Sequence, residues 1–178
     1  MGRDKAWLEV GGQSLLACQI GVVREFGAVE VFISGRADAD YSGFGYRVLQ
    51  DKFSDAGPLA GIERALDAAK SPLLLVLAVD LPEMNTEFLL RLVSVCSETC
   101  GAIPKLASHI EPLSAFYPKS SHSLTESLLR VEHNAVATFA EHCVQSGVAR
   151  FMELSASETK YFTNWNSYTD LASVAANS

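Results

Sequence analysis

The segment that most constrains the fold is an uninterrupted apolar run that ends in a carboxylate. Residues 73–79 read Leu-Leu-Leu-Val-Leu-Ala-Val, and Asp80, Leu81 and Pro82 follow. A run without polar alternation is typical of a strand that is buried on both faces of a parallel sheet. Ligands of open α/β sheets gather at the carboxyl ends of the strands, and Pro82 prevents the strand from continuing. We therefore expect Asp80 to lie at the ligand-binding edge of the sheet.

Two roles for Asp80 suit this position. No Lys or Arg lies close to it in sequence. The carboxylate is therefore available to a divalent cation such as Mg²⁺, a hard ion that prefers oxygen ligands. Alternatively, Asp80 caps the helix that is expected after Pro82. The sequence around Asp80 leaves both roles open.

Predicted strands and helices alternate along most of the 178 residues. Alternation of this kind predicts an α/β fold with a mainly parallel sheet, helices on both faces and right-handed crossovers. We expect a single domain over residues 1–178. The predicted helices cover about 15–26, 62–69, 86–96, 121–131 and 135–145, with a last helix that includes Tyr168, Leu171 and Val174. The predicted strands are 29–34, 46–51, 73–79, 101–106, 111–117 and 150–154.

Composition excludes several classes of function. The formal net charge of −7 argues against a general nucleic-acid surface, although a phosphorylated small molecule needs only local positive charge. No apolar run is long enough to cross a bilayer, and no apolar signal segment opens the sequence, so we expect a cytoplasmic protein without a membrane partner. The four cysteines and four histidines do not follow zinc-ligand spacings. We predict reduced, structural cysteines and assign the histidines no role.

Three further segments contain residues that suit a phosphorylated ligand. Lys5 can reach a phosphate as a point charge, although most such lysines are only solvated. Asp51 closes the predicted strand 46–51, and the glycines and proline of residues 56–61 let the backbone pass close to a ligand. The alternative for residues 56–61 is an ordinary strand-to-helix turn. Asn164 and Asn166 offer uncharged donors and acceptors, and their alternative is turn formation.

Taken in order, these segments resemble the molybdenum cofactor guanylyltransferase family, which belongs to the Rossmann-like nucleotidyltransferases. The resemblance extends over nearly all 178 residues. The Asp-Lys-Ala opening, the Gly-Pro-Leu-Ala-Gly segment and the Asn-x-Asn ending favour the guanylyl branch over relatives that use CTP or sugar phosphates. The matching segments are residues 1–6, Asp51 with residues 57–61, residues 79–82 and residues 163–166.

The resemblance implies a three-layer Rossmann-like fold and a transfer of GMP from GTP to molybdopterin, with release of pyrophosphate. Its implied cofactor is Mg²⁺, and its implied partners are GTP, molybdopterin and a molybdoenzyme or another protein of cofactor biosynthesis. Lys5 and Asp80 are the implied catalytic residues, because Lys5 contacts the triphosphate and Asp80 holds the magnesium. Asn164 and Asn166 are implied to hold molybdopterin. The remaining implied nucleotide-binding residues are Asp51, Gly57, Pro58, Leu59 and Gly61.

One departure from the family concerns the start of the sequence. Family members begin with a β-strand and a Leu-Ala-Gly-Gly-x-Ser-x-Arg loop just before Met-Gly, whereas this sequence begins at Met1. That strand lies inside the sheet, and its loop supplies backbone N–H groups to the nucleotide. We therefore expect a truncated or mis-started sequence without the first strand and glycine-rich loop. The expected consequences are a gap or rearranged pairing in the sheet, exposed apolar surface and unpaired backbone, and weak or no GTP binding.

Two alternatives to the guanylyl assignment stay open. One is a nucleotidyltransferase of the same fold that uses another nucleotide or acceptor, such as CTP with molybdopterin or a sugar phosphate. The other is a catalytically inactive binding module that has lost its phosphate loop. Nucleotide preference separates the enzymes from one another, and we predict GTP over CTP.

Overall fold

A computed structural model describes residues 5–36, 38–53 and 55–164 of the chain. The predicted last helix and Asn166 lie outside the described residues. The helices in this part are α1 (Leu15–Phe26), α2 (Pro58–Ala68), α3 (Thr86–Ser94), α4 (His122–Arg130) and α5 (Val136–Gln145). The strands are β1 (Glu9–Val10), β2 (Gln13–Ser14), β3 (Phe32–Ser34), β4 (Arg47–Leu49), β5 (Leu73–Leu77), β6 (Gly101–Lys105), β7 (Ser114–Pro118) and β8 (Ala149–Glu153). Short 3₁₀ segments cover Lys5–Trp7, Ser42–Phe44, Lys119–Ser121 and Ala156–Phe162.

The largest sheet contains four strands in the order β5–β7–β6–β8, while β3 and β4 form a parallel pair and β1 and β2 a hairpin. Within the large sheet β5, β6 and β8 run in the same direction, and β7 runs opposite to them. The reversal has a simple cause. Residues 106–113 connect β6 to β7, and a connection this short cannot make the crossover that parallel neighbours need.

Helices cover both faces of this sheet, which confirms the predicted three-layer α/β architecture. The side chains of β5 alternate between two apolar clusters. Leu74 and Val76 pack with α2, α4 and α5. Leu73, Leu75 and Leu77 pack on the other face, against α3 and part of α1. Because successive side chains of a strand point to opposite faces, one apolar run serves both clusters.

Local signals explain where the first helices begin and end. Ser14 caps α1 by accepting a hydrogen bond from the Ala17 N–H at 3.2 Å, and Gly27 ends the helix with a φ of 88°. The second helix begins at Pro58 rather than near residue 62, so residues 58–61 form its first turn and not a separate loop. A proline at the first helical position loses nothing, because its missing N–H would have no partner within the helix.

β5 was expected to be fully buried, but all five of its residues are partly exposed. The Ala78 N–H donates to the Leu113 carbonyl at 2.7 Å, next to the β5–β7 pairing. Backbone groups alternate between the two edges of an antiparallel strand. The N–H and C=O groups of Leu73, Leu75 and Leu77 therefore face away from β7. That edge borders an apolar cavity of about 620 Å³, which also contacts β3.

A gap therefore lies between β3 and β5. Among the described strands, no hydrogen-bonded ladder joins the β3–β4 pair to the large sheet. In the part of the chain that the structure describes, every helix is too short or too polar to cross a membrane.

Candidate functional site

The predicted ligand-binding edge brings together the ends of β3, β4 and β5. Ser34 ends β3, Asp51 follows β4 by two residues, and Asp80 follows β5 by three. Asp80 borders the cavity beside β5, and Asp51 borders a second cavity of about 1100 Å³. The two cavities share several lining residues, among them Ser34, Pro58 and Val79. The two carboxylates therefore belong to one continuous concave region at the same edge.

Asp80 forms an ion pair with the residue that the sequence also singled out for phosphate binding. Lys5 Nζ donates to Asp80 Oδ2 at 2.8 Å, and the Asp80 side chain is only 17% exposed. The cap of α3 is instead Asn85, whose side chain accepts a hydrogen bond from the Phe88 N–H at 2.9 Å. The helix-cap alternative for Asp80 is therefore wrong. Its carboxylate lies at the sheet edge beside a lysine.

A buried glutamine holds the loop that follows Asp80. Gln19 of α1 donates through Nε2 to the carbonyl of Leu81 at 2.6 Å. This contact was not predicted from the sequence, although the sequence contains a signal for it. Gln19 lies four residues after Leu15 on the face of α1 that packs inward, where an apolar residue is the norm.

Glu111 is a second carboxylate near Asp80, and it was not predicted from the sequence. Burial raises the pKa of Glu111, a hydrogen bond from His109 Nε2 at 2.9 Å lowers it, and the charge of Asp80 raises it further. Because β7 is antiparallel to β5, its beginning lies at the edge where β5 ends. The strand was expected to start at residue 111 but starts at Ser114, and this places Glu111 in the loop at that edge. The sequence carries no local signal for this approach.

Asp51 lies against the first turn of α2. A Cβ atom added to Gly61 would lie 3.2 Å from the Ser34 Cβ and 3.8 Å from Asp51 Oδ1. The glycine therefore allows the helix to approach both side chains closely. Burial raises the pKa of the Asp51 carboxyl, and the negative charge of Glu63 raises it further.

The other predicted residues divide between the site and its surroundings. Gly57 precedes α2 with a φ of 64°, a conformation that favours glycine, and it borders the second cavity together with Pro58. Leu59 is 0% exposed and packs in the core, so its side chain contributes packing. Asn164 is exposed after the last 3₁₀ segment and borders neither of the two cavities.

Solved structures with the same fold include two nucleotide-related proteins. Molybdopterin-guanine dinucleotide biosynthesis protein A from Archaeoglobus fulgidus superimposes with a TM-score of 0.75 at 20% identity, covering 99% of this chain and 93% of that one. The 2-C-methyl-D-erythritol 4-phosphate cytidylyltransferase from Thermus thermophilus gives a TM-score of 0.73 at 20% identity, covering 97% and 92%. These likenesses confirm the Rossmann-like nucleotidyltransferase fold.

Sequence comparison identifies the family. The family model described as the MobA-like NTP transferase domain matches residues 1–146. A probable molybdenum cofactor guanylyltransferase from Opitutus terrae is 36% identical over 169 residues, which covers 93% of this chain and 84% of the relative. A molybdenum cofactor guanylyltransferase from Syntrophotalea carbinolica is 29% identical over 177 residues, covering 96% of this chain and 82% of the relative. The chain belongs to the MobA-like NTP transferase family.

Proposed function

We propose that this protein is a nucleotidyltransferase that transfers GMP from GTP to molybdopterin and releases pyrophosphate. The names of its relatives from Opitutus terrae and Syntrophotalea carbinolica support this assignment. The observation that carries the proposal is the 2.8 Å contact between Lys5 Nζ and Asp80 Oδ2. In this contact the Lys5 ammonium group, which can bind phosphate, lies beside the mostly buried Asp80 carboxylate, which can bind a metal ion. Both lie at the edge where α/β sheets bind ligands.

Magnesium is the proposed cofactor, with Asp80 as its ligand. Asp80 supplies a hard carboxylate oxygen, and its charge acts on the nearby Glu111, whose pKa it raises. Within the described ranges, no three His, Cys, Asp or Glu side chains cluster as a metal cage. This donor set fits Mg²⁺, which proteins hold through one or two carboxylates together with substrate phosphates and water. When bound, the ion neutralises negative charge on the phosphates.

The proposed reaction is a displacement at phosphorus. A terminal phosphate oxygen of molybdopterin attacks the α-phosphorus of GTP in line, the bond to the bridging oxygen breaks, and pyrophosphate leaves with that electron pair. The attacking phosphate is already ionised, so no general base is required. The task of the protein is to align and neutralise crowded negative groups. In this proposal Lys5 offsets charge on the triphosphate.

The second cavity is the proposed place for the nucleotide. The N-terminus of α2 opens onto it at Gly57 and Pro58, and the positive end of the helix dipole favours an anionic ligand there. Asp51, at its wall, helps to bind GTP in this proposal. We assign Asn164 and Asn166 to the molybdopterin side, where their amides orient the acceptor without repelling its phosphate.

Nucleotide preference tests the proposed function. Calorimetric titration with GTP and with CTP, each in the presence of Mg²⁺, is expected to show tighter binding of GTP. Chromatographic analysis of the products is expected to show GMP transfer to molybdopterin. Equal or reversed preference contradicts the guanylyl assignment and favours another transferase of the same fold. Binding of neither nucleotide favours the inactive binding module.

Replacing Lys5 by alanine is expected to lower kcat/KM for GTP by about 10- to 100-fold. One charge-assisted hydrogen bond contributes roughly 1.5–3 kcal/mol, and each 1.4 kcal/mol is a factor of ten. Initial rates at several GTP concentrations measure the effect. Lys70→Ala, which removes an exposed lysine after α2, is the control and is expected to retain the wild-type rate. Equal rates for the two variants contradict the role of Lys5.

A further inference from the structure

Glu63 is a charged side chain inside the apolar face of α2. The residue is 1% exposed, and its neighbours on the same face, Leu59, Ile62 and Leu66, are buried in the core. The spacing of three and four residues places all four side chains on one side of the helix. An ionised carboxylate in such a place is costly unless it is paired. Its partners therefore indicate what it does.

The Glu63 carboxylate connects three separate parts of the chain. Glu63 Oε1 lies 2.8 Å from Nε2 of His122, the first residue of α4, and 3.5 Å from Lys52 Nζ, in the loop after β4. Lys52 also donates to Asp67 on α2 at 2.9 Å. Glu63 Oε2 is buried and has no hydrogen-bond partner among the described residues. The carboxylate thus ties α2 and α4 to the loop after β4.

That loop also carries Asp51. Lys52 is the next residue in the chain, and its contacts with Glu63 and Asp67 link the loop that contains Asp51 to α2. The Asp51 carboxylate lies beside Gly61, two residues before Glu63 in α2. Besides burial, the charge of Glu63 is what raises the pKa of Asp51. Glu63 therefore acts on Asp51 both through the chain and through space.

We propose that Glu63 is a positioning residue of the nucleotide site, which acts from the protein interior by holding Lys52 and thereby Asp51 at the wall of the second cavity. Glu63 is not a catalytic residue, because the cavity that Asp51 borders does not include it. The part of this inference that concerns GTP rests on the proposed function. The coupling between Glu63 and Asp51 does not rest on the proposed function, because it depends only on the folded protein.

A purely structural role makes different predictions. If Glu63 only tied α2 to α4 through His122, its replacement would lower stability and leave Asp51 and the KM for GTP unchanged. Glu63→Gln separates the two roles, because the glutamine has nearly the same shape and its carbonyl can still accept a hydrogen bond from His122. Only the negative charge that faces Lys52 and Asp51 is lost.

The first experiment needs no nucleotide. Carboxyl ¹³C NMR titration of wild-type protein and Glu63→Gln follows the protonation of Asp51. The variant is expected to show a lower Asp51 pKa, because a neighbouring negative charge has been removed. Glu126→Gln makes the same chemical change at the exposed Glu126–Arg130 pair of α4 and is expected to leave Asp51 unchanged. An unchanged Asp51 titration in Glu63→Gln overturns the inference.

The second experiment measures GTP kinetics in a double-mutant cycle. Glu63→Gln is expected to raise the KM for GTP by about 3- to 10-fold with little change in kcat, as expected for a change in ground-state binding. In an Asp51→Asn background the same replacement is expected to have no further effect, because residues that act through one another are not additive. Independent, additive effects overturn the inference.

Lys52→Ala tests the proposed route through Lys52, and one further outcome separates this inference from the proposed function. Lys52→Ala alters a half-exposed side chain, which a fold tolerates well, and it is expected to raise the KM for GTP as Glu63→Gln does. An unchanged KM in Lys52→Ala overturns the proposed route through Lys52. If wild-type protein binds no GTP while Glu63→Gln still shifts the Asp51 titration, the proposed function fails and the coupling stands.

Discussion

Asp80→Ala is expected to lower the rate of GMP transfer by about 10²- to 10³-fold, the range seen when an enzyme loses a group that stabilises transition-state charge. The carboxylate is 17% exposed, follows β5 and pairs with Lys5 at 2.8 Å. Its removal takes away the proposed magnesium ligand and the ion-pair partner of Lys5. Rates measured across a range of Mg²⁺ concentrations at saturating GTP test this expectation.

Two variants serve as controls for Asp80→Ala. Asp80→Asn preserves the size of the side chain but not its charge, and it is expected to need more Mg²⁺ and to remain slow. Glu126→Gln removes the charge of a carboxylate that pairs with Arg130 on the surface of α4, and it is expected to retain most of the activity. An Asp80→Ala enzyme with the wild-type rate and unchanged magnesium dependence removes Asp80 from the metal role.

Gly101→Ala is expected to destabilise the fold by about 4 kcal/mol, at the upper end of overpacking effects. Gly101 opens β6 and lies directly against β7. An added Cβ would lie 2.8 Å from the carbonyl carbon of Phe116 and 3.1 Å from the Cα of Tyr117. Both are backbone atoms of β7, so relief of the contact requires β6 and β7 to separate. Denaturant unfolding followed by circular dichroism measures the loss.

The control for Gly101→Ala is the same replacement where the surroundings are open. Gly21 lies within α1, and an added Cβ there meets no atom within 4 Å apart from its chain neighbours and the backbone of its own helix. Gly21→Ala is expected to stabilise the protein by about 1 kcal/mol, because alanine has a higher helix propensity than glycine. Equal midpoints for Gly101→Ala and wild type contradict the packing described for β6 and β7.

Patterns within one segment predicted most of the architecture. The apolar run of residues 73–79 predicted β5, and the three- and four-residue spacing of apolar side chains predicted α1, with Ser14 as its cap and Gly27 as its end. These features depend on neighbours in the chain, so local sequence is sufficient to specify them. The start of α2 at residue 58 was not predicted, because proline is compatible with both the end of a loop and the first turn of a helix. The start of β7 at residue 114 also differs from the predicted bound at residue 111.

Local sequence patterns did not predict the contacts within the candidate site. Lys5 and Asp80 are 75 residues apart, and the sequence singled out each of them without indicating an ion pair. Gln19 and Glu63 each carried a signal, since a polar residue within an apolar helical stripe must find a buried partner. The identity of that partner depends on which elements pack together. Glu111 had no signal at all, because the reversal of β7 brings it to the site.

The sequence by itself determined most elements, their alternation, the family and the carboxylates that follow β4 and β5. Apolar periodicity and the residues at the ends of elements act over short stretches of chain, so they can be recognised without the fold. Tertiary structure alone decided the antiparallel direction of β7 and the pairing of Lys5 with Asp80. It also decided that Glu63 meets Lys52 and His122. These features arise where distant segments meet, and their energies depend on burial and charge that no single segment contains.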